Sequence, residues 1–180
     1  MTISSAQRDE ALRLLEGDSR ILSVARDVSQ LLREKNVEGA VVGGVAVVLH
    51  GHVRTTLDVD VNSGDLHALA AVLEHHGFTF DAGQKQFTKN NVPVHLVSRT
   101  QLGDVIIHPQ EIDGIRTVSL ADLINMKLRS GLRDPLWAQD VADVIGLIRC
   151  RGLISAFASQ IDREHRQAFR EFVDAIGKQR

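Results

Sequence analysis

The stretch VVGGVAVVLHGHVRTTLDVDV, at Val41–Val61, contains the features that decide the fold of this chain. Gly43 and Gly44 interrupt an apolar run, and residues without a side chain make a sharp turn at little conformational cost. The pattern predicts a strand, a tight turn, a short helix over residues 45–50, a loop, and a second strand over residues 57–61. On that second strand Asp58 and Asp60 alternate with apolar residues, and a period of two puts both carboxylates on one face. We therefore expect the two carboxylates to converge.

The converging carboxylates and the glycine turn together favour a site for a metal ion and a nucleotide. Carboxylates held close together repel each other unless a cation lies between them, and oxygen ligands suit Mg²⁺. The turn at Gly43 and Gly44 precedes a helix, where unobstructed backbone N–H groups can bind phosphate. The alternative is a plain turn beside solvated aspartates. Strands accommodate aspartate poorly, so this alternative is less favoured.

The glycine pair and the motif RTTLDVD at residues 54–60 resemble the signature of the nucleotidyltransferase fold superfamily. Within it, the chain is most similar to small bacterial nucleotidyltransferases related to the toxin halves of abortive-infection toxin and antitoxin pairs. The resemblance covers residues 36–149, because SLADLINMKLRSGLRDPLWAQDVADVIGLI is also similar to the helical segment that follows the sheet in that family.

The resemblance implies a metal-dependent enzyme that moves a nucleoside monophosphate from a nucleoside triphosphate to an acceptor hydroxyl. Asp58 and Asp60 would hold Mg²⁺ or Mn²⁺, and the glycine pair would hold the phosphates. The acceptor stays open between RNA such as tRNA, a protein and a small molecule. An antitoxin protein is a further expected partner.

Other residues of the motif have expected supporting roles. Arg54 and Thr56 would brace the loop that carries the aspartates, through charge-assisted and hydroxyl hydrogen bonds. Arg133 and Asp140 match the family pattern after the sheet, and Arg133 is assigned to the nucleotide site. Asp143 is expected to lie on a solvated helix face.

Lys127 has an argument of its own, because it lies on the apolar stripe of a helix predicted over residues 120–132. A lysine at such a position must reach outward to water or point at a negative group. The oxygens of a triphosphate would suit it, and Asp140 on the next helix is the alternative. We favour the phosphate.

The sequence departs from the family pattern at one place. A third carboxylate is expected on a neighbouring strand, and VPVHLV puts His95 there. Histidine can bind Mn²⁺ or accept a proton, but a neutral imidazole brings no charge to Mg²⁺. Asp81 on the preceding strand is a possible substitute. The rival to an enzyme is therefore a degenerate member that binds nucleotide or a toxin–antitoxin partner without catalysis.

Two further chemistries are less favoured. His50 and His52 could join the aspartates in a zinc-type hydrolase site, but the chain lacks the helical His-Glu-x-x-His arrangement. Cys150 is expected to be packed rather than nucleophilic.

Composition is that of a globular protein, with 180 residues, 43% hydrophobic and 24% charged. A net charge of −2 does not indicate a broad nucleic-acid surface, and the lone cysteine excludes an internal disulfide. The chain shows neither a long apolar run nor a signal pattern, so we expect a cytoplasmic protein that does not enter the membrane.

The order of elements predicts an α/β (α+β) fold, a small mixed sheet flanked by helices with a helical C-terminal part. We expect N-terminal helices in residues 1–36, a nucleotidyltransferase-like core in 37–118 and a helical region in 119–180. Asn90-Asn91 and Asp113-Gly114 are expected to turn between paired strands.

Overall fold

A computed structural model describes residues 19–102 and 107–178. Its α-helices are α1 (Arg20–Glu34), α2 (Gly43–Leu49), α3 (Leu66–His75), α4 (Leu120–Gly131), α5 (Ala138–Arg151) and α6 (Arg166–Gly177). Its strands are β1 (Gly39–Val42), β2 (Val59–Ser63), β3 (Thr79–Asp81), β4 (Gln86–Lys89), β5 (Val92–Ser98), β6 (Pro109–Ile112) and β7 (Ile115–Val118). Short 3₁₀ turns cover Thr100–Leu102, Pro135–Trp137, Ser155–Gln160 and Arg163–His165. The first of the N-terminal helices expected in residues 1–36 lies outside the described residues.

Within the described residues, the strands form one sheet of seven in the order β3-β4-β5-β2-β1-β7-β6. At its centre β2 runs antiparallel to β1 and parallel to β5, and β1 runs parallel to β7. Both expected turns have positive φ angles. These angles are 53° and 62° at Asn90 and Asn91, and 51° and 76° at Asp113 and Gly114. That backbone matches the twist of a tight hairpin. The mixed sheet and the α/β fold class are confirmed.

Helices cover both faces of the sheet, and β1 shows how the two faces are separated. Val41 packs in the core under α1 and α3, whereas Ala40 and Val42 pack in the core under α4, α5 and α6. Successive residues of a strand point to opposite faces, so a strand buried on both sides reads as an unbroken apolar run. The C-terminal helices therefore cover one face of the sheet, and α1 and α3 cover the other. The expected division after residues 36 and 118 stays a prediction.

Several boundaries differ from those expected. The second strand begins at Val59 instead of Leu57, because Asp60 pairs with Val42, the last residue of β1, so that the ladder ends where β1 turns. The helix after β1 begins at Gly43, two residues earlier than expected. Within the helical region expected over residues 119–180, Ser155–Gln160 forms a 3₁₀ turn instead of an α-helix.

Ser119 and Asp134 supply side-chain caps, as these residue types commonly do. The side chain of Ser119 accepts a hydrogen bond from the backbone N–H of Asp122 and starts α4. Asp134 likewise accepts from the N–H of Leu136, so that Pro135 opens a 3₁₀ turn before α5. No helix in the described part of the chain has the length and apolar character needed to cross a membrane.

Candidate active site

Asp58, Asp60 and His95 form one cluster. Asp60 on β2 and His95 on β5 are direct neighbours across the parallel strand pair. Nδ1 of His95 lies 3.4 Å from Oδ2 of Asp58 and 3.4 Å from Oδ1 of Asp60. One donor atom from each of the three residues lies within 4.8 Å of the other two. The expected convergence of the two carboxylates is therefore present, although Asp58 lies just before the strand.

The sheet aims the cluster toward α4. On β2, Val59 and Val61 point into the core under α1, and Val94 on β5 does the same. Because side chains alternate along a strand, Asp60 and His95 face the opposite side, where the C-terminal helices pack. The side chains of the three cluster residues keep 27% to 37% of their surface exposed, so a ligand can reach them.

The glycine turn packs directly against this cluster. Gly43 has a φ of 64°, in the left-handed region that favours glycine, and a Cβ there would overlap the carboxylate of Asp60. A Cβ on Gly44 would overlap the hydroxyl of Thr56. The glycine pair thus has a packing reason beyond the turn, because side chains here would displace the residues that shape the cluster.

Arg54 and Thr56 brace the loop before β2 as expected. The hydroxyl of Thr56 donates a hydrogen bond of 3.0 Å to Asp58. Nη1 of Arg54 pairs with Oδ2 of Asp143 at 2.7 Å, while its Nε donates to the backbone oxygen of Thr55. The expectation that Asp143 lies on a solvated face is wrong, because its side chain is fully buried. It anchors the loop to α5.

Lys127 lies on the same network. Its ammonium group is 2.5 Å from Oδ1 of Asp140 and 2.9 Å from Oδ2 of Asp143, and only 10% of its side chain is exposed. Helix α4 thus presents the lysine to two carboxylates of α5, which is the alternative that the sequence analysis ranked second. A phosphate could approach only by sharing Lys127 with these carboxylates.

A chain of amides fixes the orientation of His95. The side-chain NH₂ of Gln86 donates to Oε1 of Gln84 at 2.7 Å, so Oε1 of Gln86 is left to face Nε2 of His95 at 2.9 Å. His95 must then carry its proton on Nε2 and donate it, because an amide oxygen only accepts. In the neutral imidazole the Nδ1 lone pair therefore points at Asp58 and Asp60. Histidines that bind metal ions are usually oriented by such a donated second hydrogen bond.

The electrostatics of the cluster fit a bound cation. Burial raises the pKa of Asp60, and the neighbouring charge of Asp58 raises it further, while His95 and Lys127 act in the opposite direction. Two carboxylates and an imidazole lone pair that point at one another form a donor set suited to Mn²⁺ or Mg²⁺. The residues present therefore fit the expected metal.

The other residues considered for the metal lie elsewhere. Asp81 is exposed, and its Oδ1 accepts from the backbone N–H groups of Gly83 and Gln84, so it caps its own turn. Among the described residues the cluster contains His95 and not Asp81. The proposal of Asp81 as the third ligand is wrong, because its position on β3 lies two strands away from β5.

The zinc alternative is also wrong. His50 is buried and its Nε2 lies 2.9 Å from the carbonyl oxygen of Val118, while burial lowers its pKa. The ring of His52 packs against Gly146 on α5. Neither belongs to a group of metal-binding side chains within the ranges the structure describes. Cys150 is exposed near the end of α5 instead of packed.

A cleft of about 900 Å³ connects the cluster with the C-terminal helices. Its wall includes Gly43 and Asp60 from the sheet, Lys127 from α4, and Arg133 and Trp137 from the connection to α5. This volume is in the upper range for small-molecule sites. Sequence reasoning missed Trp137, Gln86 and the anchoring role of Asp143. The signal for Trp137 was its place two residues after Pro135, in the turn that Asp134 caps.

A family model described as a nucleotidyltransferase of unknown function (DUF6036) matches residues 19–174. The chain belongs to this family. No curated protein matches the sequence of this DUF6036 chain. The membership confirms the nucleotidyltransferase superfamily, while the link to abortive-infection toxins stays a prediction.

Two solved structures illustrate the fold of this DUF6036 protein. The structure of ANT(2″)-Ia in complex with adenylyl-2″-tobramycin matches with a TM-score of 0.54 and 13% identity, covering 85% of this chain and 96% of the other. An antigenic nucleotidyltransferase-like protein from Paracoccidioides brasiliensis matches with a TM-score of 0.51 and 18% identity, covering 71% and 74%. At these identities the likeness shows a shared nucleotidyltransferase fold.

The packing of Gly43 against Asp60 generates a stability prediction for the DUF6036 chain. Gly43→Ala should lower the free energy of unfolding by about 2–5 kcal/mol, from the left-handed backbone and the overlap with Asp60 together. Gly152→Ala is the matched control, because Gly152 has a φ of 60° and no described atom lies within 4 Å of its missing Cβ. In Gly152→Ala the free energy of unfolding should fall only by the cost of the left-handed backbone, about 1–2 kcal/mol. Denaturant unfolding measures both, and equal losses would contradict the close approach.

The raised pKa of Asp60 generates a second prediction. The folded protein holds the Asp60 proton to a higher pH than the unfolded chain does, so ionising Asp60 destabilises the fold as pH rises from the unfolded pKa through the raised folded one. Asp60→Asn should therefore raise the melting temperature of metal-free protein at pH 7, and the gain should shrink toward pH 4. The variant should also lose the stabilisation by Mn²⁺. A variant that melts lower at pH 7 and still responds to Mn²⁺ would contradict this account.

Proposed function

We propose that this protein is a metal-dependent nucleotidyltransferase that moves a nucleoside monophosphate from a nucleoside triphosphate to an acceptor hydroxyl. The observation that carries the proposal is the convergence of Asp58, Asp60 and Nδ1 of His95 beside the Gly43 turn, at one end of a nucleotide-sized cleft that Lys127 also lines. Membership in a nucleotidyltransferase family supports the same reaction class.

Asp58, Asp60 and His95 would hold Mn²⁺ or Mg²⁺. When bound, the ion supplies positive charge that offsets the negative charge of the triphosphate. The chain's own contribution is to fix these donors. Thr56 holds Asp58 through its hydroxyl, and Gln86 holds His95 through its amide oxygen. This arrangement requires little reorganisation on binding, which is how an electrostatic site lowers a barrier.

The phosphate contacts follow from the wall of the cleft. Lys127 would bind the phosphates that leave as pyrophosphate, sharing its ammonium group between them and Asp140. Arg133 is exposed at the cleft and can bind a phosphate without giving up a buried partner. The assignment of Gly43 and Gly44 to the phosphates stays a prediction, because Asp60 and Thr56 fill the space that their missing side chains leave.

The transfer step breaks a phosphoanhydride bond of the triphosphate and forms a phosphoester bond to the acceptor. The acceptor hydroxyl oxygen bonds to the α-phosphorus, the bond from that phosphorus to the bridging oxygen breaks, and pyrophosphate leaves with the electron pair. The hydroxyl proton passes to a carboxylate oxygen of the cluster.

The acceptor is the least constrained part of the proposal. ANT(2″)-Ia was solved with an adenylylated small molecule, so a small hydroxyl compound is one class to test. RNA such as tRNA and a protein hydroxyl are the others, and an antitoxin partner also stays a prediction. The net charge of −2 gives no broad attraction for RNA.

One observation favours a second candidate, a nucleotide-binding module without catalysis. The place of the expected third carboxylate is held by His95, so the cluster carries one negative charge fewer than a three-acid site. A weaker site for Mg²⁺ would follow. Mn²⁺ accepts imidazole more readily and should bind better.

Transfer of label from an α-labelled nucleoside triphosphate tests the proposal. The acceptors are tobramycin, tRNA and the protein itself, each with Mg²⁺ or Mn²⁺. We expect transfer to be faster with Mn²⁺, and Asp60→Asn to lower the rate at least about 100-fold. His95→Asp should shift the preference toward Mg²⁺, whereas His95→Ala should not.

Asp81→Asn is the matched control, because Asp81 lies on the same sheet outside the cluster and should leave transfer unchanged. Loss of transfer in that variant would contradict the assigned site. Nucleotide binding that depends on metal, but gives no transfer to any acceptor, would support the module instead of the enzyme.

A further inference from the structure

Trp137 is largely exposed to solvent, which is unusual for a large aromatic side chain. It is the single tryptophan of the chain, and 57% of its surface is exposed. It also lines the cleft that contains Asp60 and Lys127. Tryptophan is usually mostly buried, and an exposed one in a cleft commonly contacts a ligand.

The backbone around Trp137 is firmly held. The N–H of Trp137 donates to the carbonyl oxygen of Asp134 at 2.9 Å, and the Asp134 carboxylate accepts from the N–H of Leu136 at 2.9 Å. Pro135 fixes the first position of the turn. A rigid aromatic ring loses little conformational entropy on binding, so this turn is suited to hold a flat ligand.

The position of Trp137 relates it to the expected triphosphate site. Trp137 is the residue directly before α5, and Asp140 lies in the first turn of that helix; both residues line the cleft. Asp140 pairs with Lys127 at 2.5 Å. Trp137 thus shares a cleft with the carboxylate that pairs with the lysine.

We propose that Trp137 is the platform on which the base of the nucleoside triphosphate stacks. The inference rests on the proposed function, because it takes the triphosphate to lie at Asp60 and Lys127. Stacking on an indole accepts every base, since each has a flat face, but purines cover more of the ring. The site should therefore take all four nucleotides and bind ATP and GTP more tightly than CTP and UTP.

A protein partner is the other class of ligand for exposed apolar residues here. Leu136 is 89% exposed but does not line the cleft, whereas Trp137 does. A docked protein would be expected to cover both side chains. The position of Trp137 on the wall of the cleft favours the nucleotide. Leu136 provides a control variant that tests for a protein partner.

Intrinsic fluorescence gives a direct test, because the chain has one tryptophan and no tyrosine. The wild-type protein with Mn²⁺ is titrated with ATP and with inorganic tripolyphosphate, and calorimetry measures both affinities. We expect ATP to quench the emission and tripolyphosphate to bind without quenching.

Trp137→Ala should weaken the binding of ATP at least about fivefold and remove the preference for purine nucleotides. The affinity for tripolyphosphate should be unchanged.

Two variants control this result. Trp137→Phe keeps a flat ring and should retain most of the ATP affinity, whereas Leu136→Ala should behave as wild type. ATP that binds by calorimetry without quenching, or with equal affinity in Trp137→Ala, would overturn the platform and leave the proposed function intact. No binding of ATP or tripolyphosphate at all would overturn both. Equal losses in Leu136→Ala and Trp137→Ala would also overturn the platform.

Discussion

The structure depends on the close placement of two carboxylates beside the turn that follows β1. Asp58 and Asp60 repel each other, and burial makes the charge of Asp60 still more costly. The chain keeps them together by ending β1 at Val42 and turning at Gly43, where a side chain would overlap Asp60. Proteins retain this kind of local cost mainly at functional sites, because it prepares the site for a ligand of opposite charge.

A second constraint joins the sheet to the C-terminal helices. The buried carboxylate of Asp143 accepts from Arg54, which belongs to the loop of the aspartates, and from Lys127 on α4. Removing one partner of a buried ion pair typically costs about 3–5 kcal/mol, because a charge is left without compensation. The loop, α4 and α5 are therefore held in one arrangement. This network fixes the helices that form the wall of the cleft, and it fixes the position of Lys127.

The sequence was most informative where chemistry and backbone needs coincide. The turn at Gly43, the convergence of Asp58 with Asp60, and the caps at Ser119 and Asp134 could all be read from residue types. Each requires a specific residue for a local reason, such as a positive φ angle or an acceptor for free N–H groups. The placement of His95 beside Asp60 followed from the family pattern together with strand register.

The errors have a different physical origin. Asp143 and Cys150 were misplaced because a one-dimensional pattern does not show which side of α5 meets α4. Asp81 remained a candidate because the sequence does not show which strand pairs with β2. That pairing joins strands that are not consecutive in the chain, and tertiary structure sets it. The partner of Lys127 and the exposure of Trp137 likewise depend on how α5 packs, which local propensity does not specify.

The most direct test of the central claim is anomalous diffraction from crystals grown with Mn²⁺ and a non-hydrolysable nucleoside triphosphate. The account predicts an anomalous peak bound by Asp58, Asp60 and Nδ1 of His95, with the triphosphate extending toward Lys127. The described residues contain a second group of possible ligands, Asp162, Glu164 and His165. A Mn²⁺ peak at that group alone, or a triphosphate bound away from Gly43, would contradict the account.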